Sequence, residues 1–214
     1  WAWYGYFVDQ AEEYNRNEPD TSKHINLYLT LMTGGTPISV LNRTVPDDEL
    51  TQFIAEHDCI KGVVLSENHN NSDTVAVAEV SAKYLKMMAQ QGCYLVLTDI
   101  DRPGANMMEK WFNDTDTLYN AAKKYHQYLI INSKSTTSSG FNTVRSFALG
   151  AWLGGLADNW GALTDAWTWY ETGYHRIFSG INKVTYEDVR RVYTFPETLF
   201  AMNMLQCYAN GAVV

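Results

Sequence analysis

The chain has 214 residues, of which 46% are hydrophobic, and this is enough apolar sequence for one globular domain with a full core. Its formal net charge is -8, and no cluster of Lys and Arg argues for a surface that follows nucleic-acid phosphates. No apolar run reaches the ~18 residues that a membrane helix needs, and the N-terminus lacks the basic and apolar regions of a signal peptide. We therefore expect a neutral ligand, and neither a nucleic acid nor a membrane as partner.

The cysteines and histidines show no spacing typical of a metal site. Cys59, Cys93 and Cys207 form no CxxC pair, and the histidines contain no HExxH motif. We predict that the three cysteines are buried free thiols. We expect no metal and no cofactor.

Short apolar runs alternate with helix-like segments along the chain. The runs are Ile25 to Met32, Gly62 to Ser66, Cys93 to Thr98, Tyr128 to Asn132, Leu153 to Ala157 and Leu205 to Val214. Continuous hydrophobicity is typical of parallel strands that are covered on both faces, with helices as the crossovers between them. The pattern predicts an α/β fold, either a (β/α)8 TIM-type barrel or an open parallel sheet.

Two helices between these runs have clear signals. Pro46 is followed by three acidic residues, which favour the positive end of a helix dipole, so a helix should open there. A second helix precedes Gly92, which is placed to end it. Its apolar stripe has the spacing i, i+3, i+7 and i+11 and consists of Val77, Val80, Tyr84 and Met88.

The number of strands bears on the domain organisation. Six predicted strands are two fewer than the eight of a closed barrel. The chain also opens at Trp1 and stops inside the apolar run Gly211 to Val214. We therefore expect a fragment that lacks the first strands, with residues 1–214 forming a single, partial β/α-barrel catalytic domain.

Three carboxylates at the edges of apolar runs are the candidate catalytic residues: Glu67, Asp165 and Glu197. In a β/α barrel, a polar residue at the C-terminal end of a strand points into the catalytic mouth. Glu67 directly follows the strand that ends at Ser66. Hydrolysis of a glycosidic bond requires an acid that protonates the leaving oxygen, and Glu67 is our candidate. The alternative is a solvated loop residue that caps the next helix.

Asp165 and Glu197 lie in segments that are rich in aromatic residues. An ionised carboxylate there could activate water, while neighbouring rings would bind the flat faces of sugars. Glu197 follows Pro196 and fits the first turn of a helix equally well. Which of the two carboxylates is the primary base stays open.

Further polar and aromatic residues near these carboxylates are candidates for contacts with a sugar. They are Asn68, His69, Asp99, Asn159, Trp160 and Trp167. His69 could also orient the acid, since it lies two residues from Glu67. Asp99 and Asp101 could hold a cation, but the rest of a calcium-loop pattern is missing, so an ordinary loop is the preferred interpretation.

Read in order, several short stretches resemble the catalytic barrel of glycoside hydrolase family 98. They are Tyr4 to Tyr6, Asn26 to Thr33 with Gly34 and Gly35, Gly62 to Glu67, Gly92 to Val96, Gly154 to Gly161 with Asp165, and Phe195 to Leu199. The resemblance spans nearly the whole chain and depends on the order and spacing of these stretches. It implies an endo-acting enzyme for an internal β-galactoside bond of blood-group glycans, and an extracellular or cell-surface location.

The resemblance also implies an inverting mechanism, in which Glu67 matches the acid and Asp165 and Glu197 match the base carboxylates. Inversion needs room for a water, so acid and base should lie ~6.5–9.5 Å apart. Three alternatives remain at this point: a non-catalytic carbohydrate-binding or structural domain on the same scaffold, an endo-xylanase specificity, and a metal-dependent barrel enzyme that uses Asp99 and Asp101. The sequence does not reveal the oligomeric state.

Overall fold

The computed structural model describes residues 2–31, 46–66, 68, 73–99, 107–134, 143–163 and 197–213. Helices and strands alternate in this part of the chain, as the sequence predicts. The helices are α1 (Ala2–Asn17), α2 (Asp47–Ala55), α3 (Thr74–Gln90), α4 (Met107–Asn113), α5 (Asp116–Tyr125), α6 (Thr143–Leu153) and α7 (Glu197–Ala209). The strands are β1 (Leu27–Thr30), β2 (Ile60–Ser66), β3 (Tyr94–Asp99), β4 (Leu129–Lys134) and β5 (Asn159–Leu163).

The described strands form one parallel sheet in the order β1-β2-β3-β4-β5. Each strand is separated from the next by at least one helix, because parallel neighbours need a crossover connection. The order runs in one direction without the reversal that marks a doubly wound open sheet. Five consecutive strands in this order are what a (β/α)8 barrel contains.

One face of the sheet packs against the helices. Side chains alternate between the two faces of a strand, and one set of alternate residues belongs to the main hydrophobic core. Members of this set are Leu29, Val63, Leu65, Leu95, Leu97, Leu129, Ile131, Trp160 and Ala162. Each of α1 to α7 contributes side chains to the same core, so the described helices share one side of the sheet. This is the arrangement of a barrel with its helices outside.

Helix α3 shows how the sequence specifies one of these crossovers. Asp73 is its N-cap, and the Asp73 carboxylate accepts a hydrogen bond of 2.9 Å from the backbone N–H of Ala76. Val77, Tyr84 and Met88 of the predicted stripe are buried against the sheet. The helix ends before Gly92, whose φ of 65° is a conformation that glycine adopts without strain. The predicted helix and its end are confirmed, as is the start of α2 after Pro46.

The last two predicted strands were misplaced. Leu153 to Ala157 contains the end of α6 and a turn at Gly155, and the strand β5 begins two residues later. The stretch that begins at Leu205 is helical as far as Ala209, and of its described residues Val213 alone pairs with the sheet, through a parallel bridge to Gly161. The residues of α7 are mostly good helix formers, and a short apolar run has the same hydrophobicity in either structure.

The three cysteines are buried and free, as predicted. Burial raises the pKa of each thiol, because the charged thiolate is poorly solvated inside the protein. In the described part of the chain, no helix is both long and apolar enough to cross a membrane.

Candidate active site

Buried polar residues gather at the carboxyl ends of the strands. In the described residues these are Asn68, Ser81, Thr98, Asp99, Ser133 and Lys134, and all except Ser81 lie at or just beyond the ends of β2, β3 and β4. Burying polar groups is unfavourable unless they are hydrogen-bonded, so such a concentration is not expected of a purely structural sheet edge. In β/α barrels this edge carries the catalytic residues.

The strand register sets a polar row across the face of the sheet that points away from the helices. Ser66 is the register partner of Thr98, Thr98 is the partner of Asn132, and Asn132 is the partner of Gly161. Alternation along each strand places these four residues opposite the helix-facing core. In a closed barrel this is the inward face, one layer below the mouth.

Two oxygens in this row have no hydrogen-bond partner. They are the Thr98 hydroxyl and the Asn132 side-chain carbonyl oxygen, and both are buried. A buried, unsatisfied oxygen costs ~1–3 kcal/mol, which a water or a hydroxyl of a bound sugar would offset. The row therefore offers unsatisfied hydrogen-bonding oxygens on the face of the sheet that points away from the helices.

Gly161 shapes the same row. A methyl group at this position would collide with the Asn132 side-chain oxygen and with the backbone oxygen of Val213. Glycine is therefore required here by the close approach of its neighbours, and its absence of a side chain leaves room for the Asn132 amide.

Two of the predicted sugar-binding residues are brought together in the structure. The backbone N–H of Asn68 donates a hydrogen bond of 2.6 Å to the Asp99 carboxylate. Asp99 is 0% exposed and Asn68 is 4% exposed. The Asn68 side chain also donates, at 3.4 Å, to the backbone oxygen of Ser66. Asn68 is thus bonded to the last residue of β2 and to the last residue of β3.

Lys134 is a charged residue at this edge that is not among the predicted site residues. It is the last residue of β4 and only 5% exposed. Asp99 and Lys134 are the two charged residues that are buried in the described part of the chain, and they end neighbouring strands. Glu67 is predicted because a polar residue at the end of an apolar strand points to the catalytic mouth. The same signal would predict Lys134, but the predicted strand ends at Asn132, two residues before the end of β4.

The other predicted site residues lie elsewhere or outside the described residues. Trp160 is 1% exposed in the helix-facing core, and its indole N–H donates to the backbone oxygen of Asn210 at 3.0 Å. Asn159 begins β5 and therefore lies at the amino end of the sheet. The structure does not bring these two to the carboxyl edge, and we assign Trp160 to the core.

The predicted acid and one predicted base fall outside the described residues. Glu67, His69, Asp165 and Trp167 are not among them, and Asp101 is also outside. Glu197 is the first residue of α7, the position that Pro196 predicted for it. The roles of these residues stay predictions. No group of three or more His, Cys, Asp or Glu side chains within the described ranges is arranged to hold a metal.

Comparison with known proteins agrees with this architecture. Residues 2–214 match the sequence model of glycosyl hydrolase family 98. The chain is 28% identical over 216 residues to a blood-group-substance endo-1,4-beta-galactosidase of Clostridium perfringens, with 99% of this chain and 27% of that protein covered.

Solved structures of a family 98 catalytic module from Streptococcus pneumoniae have the same fold. The native form superposes with a TM-score of 0.74 at 28% identity, and covers 99% of this chain and 34% of that chain. The complex with the H-disaccharide blood group antigen superposes with a TM-score of 0.71 at 27% sequence identity. The complex with the LewisY pentasaccharide blood group antigen superposes with a TM-score of 0.72 at 26% identity, and both matches have the same coverage as the native form.

The sheet, its strand order and its polar carboxyl edge define a β/α protein of the TIM-barrel type, which confirms the predicted fold class. The chain belongs to glycosyl hydrolase family 98. It spans 27% of the curated relative and 34% of the solved chains.

Proposed function

We propose that the chain is part of the catalytic barrel of an endo-acting glycoside hydrolase that cleaves an internal β-galactoside bond in blood-group-type glycans. The observation that carries the proposal is the concentration of buried polar residues at the carboxyl edge of the sheet, where the chain passes from Ser66 to Asn68. Membership of family 98 supports it, as does the name of the Clostridium relative.

In this proposal Glu67 is the general acid, and Asp165 and Glu197 activate the water. A general acid must carry its proton when the bond breaks, and poor solvation of a carboxyl group is one way in which proteins favour the protonated form. The polar row formed by Ser66, Thr98 and Asn132 would accept or donate hydrogen bonds to sugar hydroxyls that enter from the mouth above it. The reaction needs no cofactor.

The substrate and the location of the protein belong to the same proposal. Two of the pneumococcal structures hold blood-group antigens, and these are the glycans that we expect this protein to recognise. Glycans of this kind are displayed outside cells, so we propose an extracellular or cell-surface location.

A Glu67→Gln variant of the full-length protein tests the proposal. The amide has nearly the shape of the acid but cannot donate a proton to the leaving oxygen, so kcat should fall by at least ~10²-fold. Hydrolysis should be followed on blood-group glycans, including the LewisY pentasaccharide, and on a panel of xylans. Asp73→Asn, which exchanges one capping residue for another on the surface of α3, is the matched control and should keep the parental rate.

Parental activity in Glu67→Gln would refute the role of this acid. If the parental protein cleaves xylans and no blood-group glycan, the proposed galactoside specificity is wrong and the protein is a xylanase. Binding of glycans without any product would instead support a non-catalytic carbohydrate-binding domain.

A further inference from the structure

Asn132 differs from its neighbours in the polar row in how much of its side chain is accessible. Thr98 is fully buried, and Gly161 has no side chain. Asn132 and Ser66 are partly exposed. A sugar hydroxyl that enters from the mouth therefore reaches these two side chains first.

The Asn132 amide has a defined direction. Its oxygen is buried and lies beside Gly161, at the place where any other residue would carry its Cβ atom. The oxygen and the nitrogen of an amide point to different sides of the group, so the nitrogen is directed away from β5. This nitrogen is not among the enclosed polar atoms, and Asn132 makes no side-chain hydrogen bond in the described part of the chain. Its two N–H donors are therefore available on the inward face.

The layer beneath the row is apolar. Val96 precedes Thr98 by two residues, so alternation gives it the same direction, and it does not belong to the helix-facing core. Its register partner Ile130 stands in the same relation to Asn132. On β3 and β4, polar contacts on this face thus begin at the row, with hydrocarbon below it.

An amide in this place suits a hydroxyl group. It offers donors and an acceptor without a charge, and a hydroxyl can pair with either. A site that bonds a substrate hydroxyl discriminates against an analogue that lacks it, because its own polar groups are then left without a partner.

The geometry points to Asn132 as a specificity-determining residue that binds one hydroxyl of the sugar, with its amide oriented by the close approach of Gly161. This inference rests on the proposed function, since it names a substrate contact in the same site.

The test compares Asn132→Ala with the unmodified protein, both at full length. The substrates are a blood-group glycan and analogues of it that each lack one hydroxyl of the galactose. Loss of the contact should lower kcat/KM for the complete glycan by about 10- to 100-fold. Asn113→Ala is the matched control, because Asn113 is exposed at the end of α4, and it should keep the parental kcat/KM.

The analogues identify the hydroxyl. The unmodified protein should lose about 10- to 100-fold in kcat/KM on one analogue, since the same bond is missing. On that analogue Asn132→Ala should lose less than about threefold more, because the two changes remove one interaction. Losses that multiply on every analogue would overturn the inference, as would a kcat/KM within about threefold of parental for Asn132→Ala on the complete glycan.

A crystal structure of the unmodified full-length protein with a bound glycan product gives a measurement that does not depend on a variant. The Asn132 amide should lie within ~3.2 Å of a sugar hydroxyl. An amide that contacts only water would overturn the inference. If the unmodified protein hydrolyses no glycan, the proposed function fails, and the contact in this complex alone decides whether Asn132 binds a sugar.

Discussion

At the scale of single residues, the polar row depends on a glycine. Gly161 stands where any side chain would meet the Asn132 amide and the Val213 carbonyl group. The Val213 contact is with backbone, which cannot rotate away, so the sheet itself would have to shift. Gly161 therefore keeps both the row and the bridge to Val213 in place.

Gly161→Ala should destabilise the protein by about 1–3 kcal/mol, since overpacking at a sheet forces a displacement of its neighbours. Urea unfolding followed by tryptophan fluorescence measures this loss. Gly150→Ala is the control, because a methyl group there meets nothing within 4 Å on the exposed side of α6. It should stabilise the helix by about 0.5–1 kcal/mol. Equal stability of the two variants would mean that the close approach at Gly161 has no energetic weight.

The residues of the site were only partly predictable from the sequence. A polar residue after an apolar strand is a local pattern, and it identified Asn68 and Asp99, which the structure joins. The pattern does not indicate to which face of the sheet a side chain points. It therefore does not distinguish Asp99, which follows the helix-facing residues of β3, from the polar row on the opposite face. Trp160 shows the same limit, because an aromatic residue near a predicted carboxylate looks identical whether it binds sugar or fills the core.

At the scale of elements, α3 contributes more buried residues than any other helix in the described part of the chain. It contacts α4, α5 and β3, and its buried residues include Leu85, which is fully inaccessible. Its burial on several sides makes this helix a main contributor to the core on the helix side of the sheet.

Leu85→Ala should lower the free energy of unfolding by about 2–5 kcal/mol, because it removes buried methyl groups and leaves a cavity. Val75→Ala in the same helix is the matched control, since Val75 is 40% exposed and its truncation should change stability by less than about 0.5 kcal/mol. Both can be compared by their urea midpoints. A loss below about 1 kcal/mol for Leu85→Ala would show that the core around α3 collapses to fill the space.

The elements themselves were predictable where two signals agreed. Four strands and two helices were found because apolar runs coincided with turn residues, as at Gly92. The prediction failed at Leu153 to Ala157 and at Leu205 to Val214, where an apolar run had no alternation or capping signal to decide its type. Tertiary packing decides such cases, and a single sequence does not display it.

At the scale of the whole molecule, the hydrophobic core and the buried polar groups lie at different parts of the sheet. Its helix-facing side holds the core, and its carboxyl edge holds the buried polar groups. Because the five described strands are parallel, their carboxyl ends share one rim, so residues far apart in sequence are able to meet there. The fold can therefore place an acid from one strand opposite a base from another.

An inverting mechanism predicts the stereochemistry of the first product. If Glu67 and the base carboxylates lie ~6.5–9.5 Å apart, water attacks directly and a β-linked glycan yields the α-anomer first. Proton NMR of the anomeric signals during early turnover measures this. Initial formation of the β-anomer would instead indicate a retaining pair ~5–5.5 Å apart.

The junction of β5 with the end of α7 has a consequence for the order in which the chain folds. Val213 donates its N–H to the Trp160 carbonyl oxygen, and the Trp160 ring N–H donates to the Asn210 carbonyl oxygen. Trp160 and Asn210 are 50 positions apart in the sequence, and contacts between distant residues form only after the entropy of closing the chain between them has been lost. We therefore expect this junction to form later in folding than the pairing of neighbouring strands.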